Sequence, residues 1–369
     1  MQILIQDVIQ HLETIAPPQL QEGYDNAGLI TGNPADACTG ILTTLDVTEA
    51  VVAEAVKKGC NLVVAHHPIV FGGLKKITGK NYVERTVIAA IRNHIAIYAI
   101  HTNLDNVLHG VNGMMAQKIG LVNCRALQPK KSQLKKLVTF VPAANAEAVR
   151  MALFQAGAGH IGAYDECSFN TPGEGTFKAG AGTNPFVGSI GLRHTEPEIR
   201  VETIFPAWAE SGILKALLQA HPYEEVAYDI YPLDNTFNTV GAGLIGNLPA
   251  PVSAADFLQH LATVFGNNVV RHTALTGKVV QKVALCGGAG SFLIQAAIAA
   301  GADFYITADV KYHEFFDADN RLVIADIGHY ETEQYSIDLL FDILKEKFPT
   351  FATLKTGINT NPVQYFIRK

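Results

Sequence analysis

The apolar positions of this chain follow two rhythms, and their alternation predicts the architecture. Ile5, Val8, Ile9 and Leu12 carry helical spacing, and Pro17-Pro18 closes that first helix. From Gly40 onward, short apolar runs alternate with helical stretches. Ile41 to Leu45 is a strand ending at Asp46, Thr48 to Lys58 is a helix stopped by Gly59, and Leu62 to Ala65 is the next strand. A helix over Val83 to Asn93 leads to the strand Ile95 to Ile100. The last third repeats the order with strand Val283 to Cys286, helix Phe292 to Ala300, strand Phe304 to Thr307, strand Leu322 to Ile327 and a long helix reaching Phe348. Such alternation predicts a parallel or mixed α/β sheet, in which ligands bind beyond the carboxyl ends of the strands.

The middle of the chain has a different pattern. After a charged linker, Pro129 to Lys136, come strand Leu137 to Val141, helix Ala144 to Gln155 and a strand near Ile161 to Phe169. A Gly-rich stretch, Gly173 to Gly182, precedes strands at Val187 to Leu192 and Ile199 to Phe205. Helix Ala209 to Gln219 carries Ile213, Leu214, Leu217 and Leu218 on one face, and strand Val226 to Tyr231 closes the segment. Two βαβ-like halves of this size predict a ferredoxin-like α+β module inserted into a discontinuous main domain. The expected domains are residues 1–127, an N-terminal lobe; 128–233, the insert; and 234–369, a C-terminal lobe. The outer segments can be laid over each other. Ala55 to Ala65 resembles Ala297 to Thr307, and one strand later His101 with Asp105 matches His329 with Glu333. Two similar α/β lobes facing each other across one cleft are therefore expected.

Composition narrows the class. At 369 residues, with 48% hydrophobic and 17% charged positions, the chain can bury a large core. Its 28 basic and 34 acidic residues give a net charge of −6, which argues against a nucleic-acid or anionic-membrane surface. Five scattered cysteines without a Cys-x-x-Cys pair point to a reduced compartment, and the first residues do not read as a signal peptide, so a cytoplasmic location is expected. The uncharged run Val283 to Ala302 is long enough for a membrane span, but Gly287, Gly288 and Gly290 divide it into strand, turn and helix.

Candidate chemistry clusters at strand ends. His66 and His67 close a buried apolar run, and Pro68 turns the chain away. Metal ligation is the functional reading; a turn with two solvated histidines is the plain one, and for an isolated pair the commoner. His329 and Glu333 stand four apart at a helix start, so both project from one face. Together His66, His67, Asp105, His329 and Glu333 could serve two divalent ions, with a carboxylate bridging. Mixed nitrogen and oxygen ligands suit zinc, iron or manganese, and the lack of thiolates argues against a structural zinc site. Asp46, His101, Asp309 and His313 read as supporting or substrate-facing groups. Gly287-Gly288-Ala289-Gly290, at an expected helix start, reads as a tight turn or, less commonly, as a phosphate cradle.

These strings also carry a resemblance. Asp25-Asn26-Ala27-Gly28-Leu29, Asp46-Val47-Thr48, His66-His67-Pro68-Ile69-Val70-Phe71, His101-Thr102-Asn103-Leu104-Asp105, Thr307-Ala308-Asp309-Val310-Lys311-Tyr312-His313 and Gly328-His329-Tyr330-Glu331-Thr332-Glu333 are similar, in order, to the motifs of the NIF-three-like dinuclear-metal-centre family. Its bacterial members are commonly named GTP cyclohydrolase 1 type 2 homologues. Tyr24 departs from the family's usual Trp. The resemblance implies that His66, His67, Asp105, His329 and Glu333 hold two divalent metal ions per subunit. It implies a homohexameric ring and an insert of the PII or CutA type, for which Ala220-His221-Pro222-Tyr223-Glu224-Glu225 is the most telling string. The activity implied is metal-dependent hydrolysis of a nucleotide or related small molecule; such a reaction needs a proton carrier, a role that His101 or His313 could take. A non-catalytic ring that senses a small molecule through its insert is the alternative, and a metal store or chaperone a third reading.

Overall fold

Three four-residue runs, Ile41–Thr44, Leu62–Ala65 and Ala96–Ala99, are buried at every position, because both faces of the sheet they form are covered. In the computed structural model, which describes residues 2–266 and 269–366, these strands run parallel. Thr353–Lys355 joins one edge in parallel and Gly28–Thr31 the other in antiparallel. Side chains alternate between the two faces with period two. Ile41, Leu62, Val64, Ala96 and Tyr98 pack with Ile5, Val8 and Leu12 of the first helix and with Leu340 and Leu344 of the helix Ser336–Lys347. Leu42, Val63, Ala65 and Ile97 face the helices Glu49–Lys57 and Tyr82–Arg92 through Val51, Val52, Ala55, Val87 and Ala90.

A second sheet has the order Arg271–His272, Val323–Asp326, Phe304–Ala308, Val279–Ala289, Gly241–Ser253, Val122–Pro129. Its first four strands reproduce the order and directions of the first sheet: one antiparallel edge strand, then three parallel neighbours. One face packs on the helices Val111–Ile119 and Ala254–Phe265. There Phe257 and Phe304 meet edge to face at 4.9 Å, and burying each such ring stabilises by roughly 1.5–3 kcal/mol. The helix Ala254–Phe265 and the strand before it carry their own signals: Phe257, Leu261 and Phe265 at helical spacing, and Ser253 accepting from the Asp256 N–H as an N-cap.

Contacts divide the chain into two compact units, 1–129 with 238–369, and 130–237. The second unit runs strand Leu134–Pro142, helix Ala146–Gln155, strands Phe169–Lys178 and Arg193–Pro206, helix Glu210–Ala220, strand Tyr228–Leu233. Its sheet places Leu134–Pro142 between Arg193–Pro206 and Tyr228–Leu233, with Phe169–Lys178 at the edge and every neighbouring pair antiparallel.

Several local expectations change. The stretch from Ile161 toward Phe169 holds only a bridge between Ile161 and Tyr164, because Gly159 and Gly162 take positive φ there. Gly173 and Gly175 lie inside a strand, and Val187 to Leu192 is a turn with Gly188 and Gly191 at positive φ. Lys135 and Lys136, expected in a solvated linker, are strand residues paired with Glu210 and Glu202. The long final helix is two, His329–Glu333 and Ser336–Lys347. Among the described residues no helix is long and apolar enough to cross a membrane, and Val283 to Ala302 is divided as its glycines predict.

Candidate metal centre

Four imidazoles converge where strand ends of the two sheets meet. His66 and His67 follow Leu62–Ala65, His101 follows Ala96–Ala99, and His329 opens the helical turn after Val323–Asp326. Ring centroids are 5.0 Å apart for His66 and His67, 5.2 Å for His66 and His101, and 5.3 Å for His67 and His329. Glu333 sits among them, its Oε2 at 2.8 Å from His67 Nε2 and 3.1 Å from His329 Nε2. Its Oε1 is 3.9 Å from His66 Nε2, and Asp105 Oδ1 is 3.6 Å from that same nitrogen.

Every ring is held from behind through Nδ1. His66 Nδ1 lies 2.9 Å from the Ile100 carbonyl, His67 Nδ1 2.8 Å from Asp46 Oδ1, His101 Nδ1 2.8 Å from Asp25 Oδ1, and His329 Nδ1 2.6 Å from Asp309 Oδ2. Carbonyls and carboxylates accept, so Nδ1 carries the hydrogen and Nε2 is the nitrogen each ring offers to the centre. The supporting carboxylates are themselves fixed: Asp46 accepts from the Thr360 hydroxyl, and Asp25 accepts from the Thr102 hydroxyl and N–H. Asp309 has φ +55°, a left-handed backbone uncommon for a non-glycine residue and often found where function fixes a side chain.

Burial and charge act in opposite directions here. Burial pushes His66 down to about 3, so it is neutral. Burial would also lower His67 and His329, but bonds to Asp46 and Glu333 lift His67 to about 10, and Glu333 and Asp309 lift His329 to about 9. Burial favours the neutral form of Glu333, yet the hydrogen bonds from His329 and His67 hold its carboxyl well below the usual range. Asp105, buried and facing Glu333, is raised. Burial alone would raise Asp25, but His101 and Thr102 bring it to about 2.

Two buried atoms have no hydrogen-bond partner among the described residues of this cluster: His66 Nε2 and Asp105 Oδ1. Their 3.6 Å separation is too long for a hydrogen bond. Leaving both unsatisfied is costly, and a cation shared between them removes that cost. The donor set therefore fits metal. Two overlapping groups bring their ligand atoms within 4.8 Å of one another, His66 with His67 and His101, and His67 with His329 and Glu333.

The glycine stretch turns strand into helix only at Gly290, and Gly288 has a role of its own. The strand Val279–Ala289 continues through Gly287 and Gly288. The N–H groups of Gly287, Gly288 and Gly290 donate to Asn112 Oδ1, Thr332 Oγ1 and Thr307 Oγ1, so none is free for a phosphate. A Cβ on Gly288, at φ +61°, would stand 2.4 Å from Glu333 Oε1. The missing side chain makes room for the carboxylate.

The sequence model for Duf34/NIF3 (NGG1p interacting factor 3) matches residues 3–362. The chain belongs to this family. It is 38% identical over 365 residues to a GTP cyclohydrolase 1 type 2 homolog of Halalkalibacterium halodurans, covering 98% of each chain. The homolog of that name from Bacillus subtilis is 38% identical over 327 residues, 88% of each chain. Among solved structures, a Bacillus cereus protein related to NIF3 superposes with a TM-score of 0.88 at 37% identity, covering 99% of this chain and 100% of that one. Staphylococcus aureus protein SA1388 gives 0.77 at 27% identity, with 99% of each chain covered.

The five side chains expected from the sequence as ligands, His66, His67, Asp105, His329 and Glu333, all lie in this cluster. His101 joins them. His313 does not: it is exposed in the turn Tyr312–Ala318, against the rings of Tyr312 and Phe316. The pairing of Asp25 with His101 escapes sequence reasoning, although Asp25 opens the Asp-Asn-Ala-Gly string. Cys286 is buried next to Asp105 and Glu333; burial, then those carboxylates, raises its thiol well above the ordinary range, so it stays protonated and poorly suited to ligate.

Proposed function

We propose that this centre holds two divalent metal ions, zinc, iron or manganese, and that the protein is a metal-dependent hydrolase of a nucleotide or related compound. The observation that carries the reading is the pair of buried, partnerless atoms, His66 Nε2 and Asp105 Oδ1, inside a ring of pre-oriented imidazoles. His66, His67, Asp105, His329 and Glu333 are the proposed ligands, with His101 added because its Nδ1 is held by Asp25 as the other rings are held. Ions bound there supply a Lewis acid for an electrophilic carbon or phosphorus and lower the pKa of water. Of the two histidines expected to carry protons, His101 then serves mainly as a ligand, and His313 stands exposed outside the cluster.

The substrate class rests on the rim. Tyr24 and Phe71 are exposed, with ring centroids 6.3 Å apart, and Phe71 lies 5.9 Å from the His101 ring. The Asn26 amide donates to the Val70 carbonyl and ties the two loops together. Two flat faces beside the centre suit a stacked base. The name that the relatives carry, GTP cyclohydrolase 1 type 2 homolog, points to the same class. Protein loaded with zinc, manganese or iron should release formate or phosphate from a nucleotide panel; no turnover with any metal would refute the hydrolase reading.

The remaining organisation is part of the same proposal. The outer residues form two similar lobes of one discontinuous domain, 130–237 is an inserted ferredoxin-like domain of PII or CutA type, and the subunits form a cytoplasmic homohexamer. A non-catalytic regulatory ring is the second reading, favoured by the cavity that the insert holds for itself. Replacing His66 and Glu333 separates them: an enzyme loses turnover and keeps its assembly, a scaffold loses the assembly.

A further inference from the structure

The unit 130–237 contains a cavity of about 620 Å³ lined wholly by its own residues. Its walls are aromatic: the Tyr223 ring stands 6.1 Å from Phe177 and 6.2 Å from Phe186, and Phe140 completes the lining. Into this apolar space projects Glu198, only 9% exposed, from the strand Arg193–Pro206. Tyr223 donates its hydroxyl to Glu198 Oε1 at 2.8 Å. No other hydrogen bond from the described residues reaches that carboxylate's side chain, and Oε2 lies against Gly175, where a Cβ would stand 2.1 Å away. Gly175, like Gly288 at the metal centre, leaves space for an acid.

The string His221-Pro222-Tyr223 sets up this arrangement. His221 is buried, with Nε2 3.0 Å from the Phe140 carbonyl and Nδ1 accepting from the Tyr223 N–H at 3.1 Å. That pair of bonds fixes the neutral tautomer and anchors Tyr223 under the carboxylate. The other charged lining groups are mostly acidic as well: Glu174, Glu224 and Glu225 against one Arg200, whose guanidinium is engaged by Glu202 at 2.9 Å. Among the described residues no lysine or histidine lines the space. An anionic ligand would meet net repulsion, whereas a buried carboxylate short of partners among aromatic faces favours a cation.

We propose that this cavity binds a small organic cation, an apolar or aromatic molecule bearing an amidinium, guanidinium or ammonium group that pairs with Glu198 and lies between the rings of Tyr223, Phe177 and Phe186. The reading is independent of the metal centre. The ligand class also differs from a nucleotide, whose phosphates this lining repels.

Benzamidine is a suitable probe, with neutral benzamide and anionic benzoate as controls, titrated calorimetrically into the full-length protein. Saturable binding of one benzamidine per chain is expected, with benzamide roughly tenfold or more weaker and benzoate without binding. Glu198→Gln should weaken benzamidine by at least about tenfold and abolish the preference over benzamide. Phe186→Ala, at an exposed position that the fold tolerates, should weaken all binding several-fold and keeps the test valid if Glu198→Gln fails to fold. Equal binding of benzamide, binding of benzoate or ATP in the cavity, no saturable benzamidine binding, or unchanged affinity in either variant that folds would overturn the proposal.

Discussion

Nε2 of His67 and Oε2 of Glu333 lie 2.8 Å apart although 266 residues separate them in the chain. The contact joins the carboxyl end of a strand in one sheet to the helical turn that follows a strand in the other. The first sheet brings His66, His67 and His101, and the second adds His329 and Glu333, so that nitrogen and oxygen donors from both surround one buried point. Each ring is oriented by a backbone carbonyl or a carboxylate at Nδ1, so the supporting groups should matter almost as much as the ligands.

Asp46→Asn, Asp25→Asn and Asp309→Asn should each lower metal affinity by about 10–100-fold while leaving the fold intact. Competition against a chelator, with circular dichroism to monitor folding, measures this. Unchanged affinity in all three would mean that the rings are held by packing alone.

The metal-free protein should be most stable near neutral pH. His67 and His329, raised to about 10 and about 9 from 6.5, contribute stability that is fully present below pH 6.5 and lost as pH rises through those values. His66, lowered to about 3, acts oppositely, and its contribution is lost as pH falls from 6.5 toward 3. Asp25, at about 2 against 3.8, adds stability that is lost as pH falls through 2. Thermal melts of chelated protein from pH 4 to 10 should therefore pass through a maximum, and bound metal should flatten the alkaline fall by replacing the protons on His67 and His329. A melting temperature that rises steadily to pH 10 would contradict these assignments.

Gly288→Ala should cost roughly 1–2 kcal/mol from its left-handed backbone and also crowd the Glu333 carboxylate at 2.4 Å. Metal content is the more telling readout, because a purely structural glycine would lower the melting temperature and leave metal stoichiometry unchanged.

Much of this was legible in the chain. Adjacent histidines at the end of a fully apolar run, and a His and a Glu four apart after another, mark strand ends with chemistry, and the structure brings them together. What the pattern could not show is pairing at a distance. Val122–Pro129 joins the second sheet and Thr353–Lys355 the first, each far in sequence from the strand it pairs with. The role of Gly288 was hidden for a related reason: a glycine at a strand end looks the same whether it receives a phosphate or yields space to a side chain 45 residues on. The glycines of the unit 130–237 misled similarly, since Gly173 and Gly175 interrupt the period of a real strand, where Gly175 leaves room for Glu198 of its neighbour.

Phe71→Ala and Tyr24→Ala should raise the KM for a nucleotide substrate by about tenfold, in line with the ~1–3 kcal/mol of one base-on-ring stack, and leave metal content unchanged. If kcat falls and KM stays constant, the rim positions reacting groups and does not hold a base.

Core substitutions give a control that is independent of the metal. Phe257→Ala removes the edge-to-face contact with Phe304 and should cost about 3–5 kcal/mol in denaturant unfolding. A much smaller loss would show that the Phe257 ring is not packed into the core of the second sheet.

The most direct test is anomalous diffraction from crystals grown with zinc or manganese. Two peaks are predicted within the cluster, bounded by His66, His67, His101, Asp105, His329 and Glu333, and both should vanish in the His66→Ala, Glu333→Gln double variant. Crystals saturated with metal that show no peak there, or peaks that persist in the variant, would contradict a metal centre at this point.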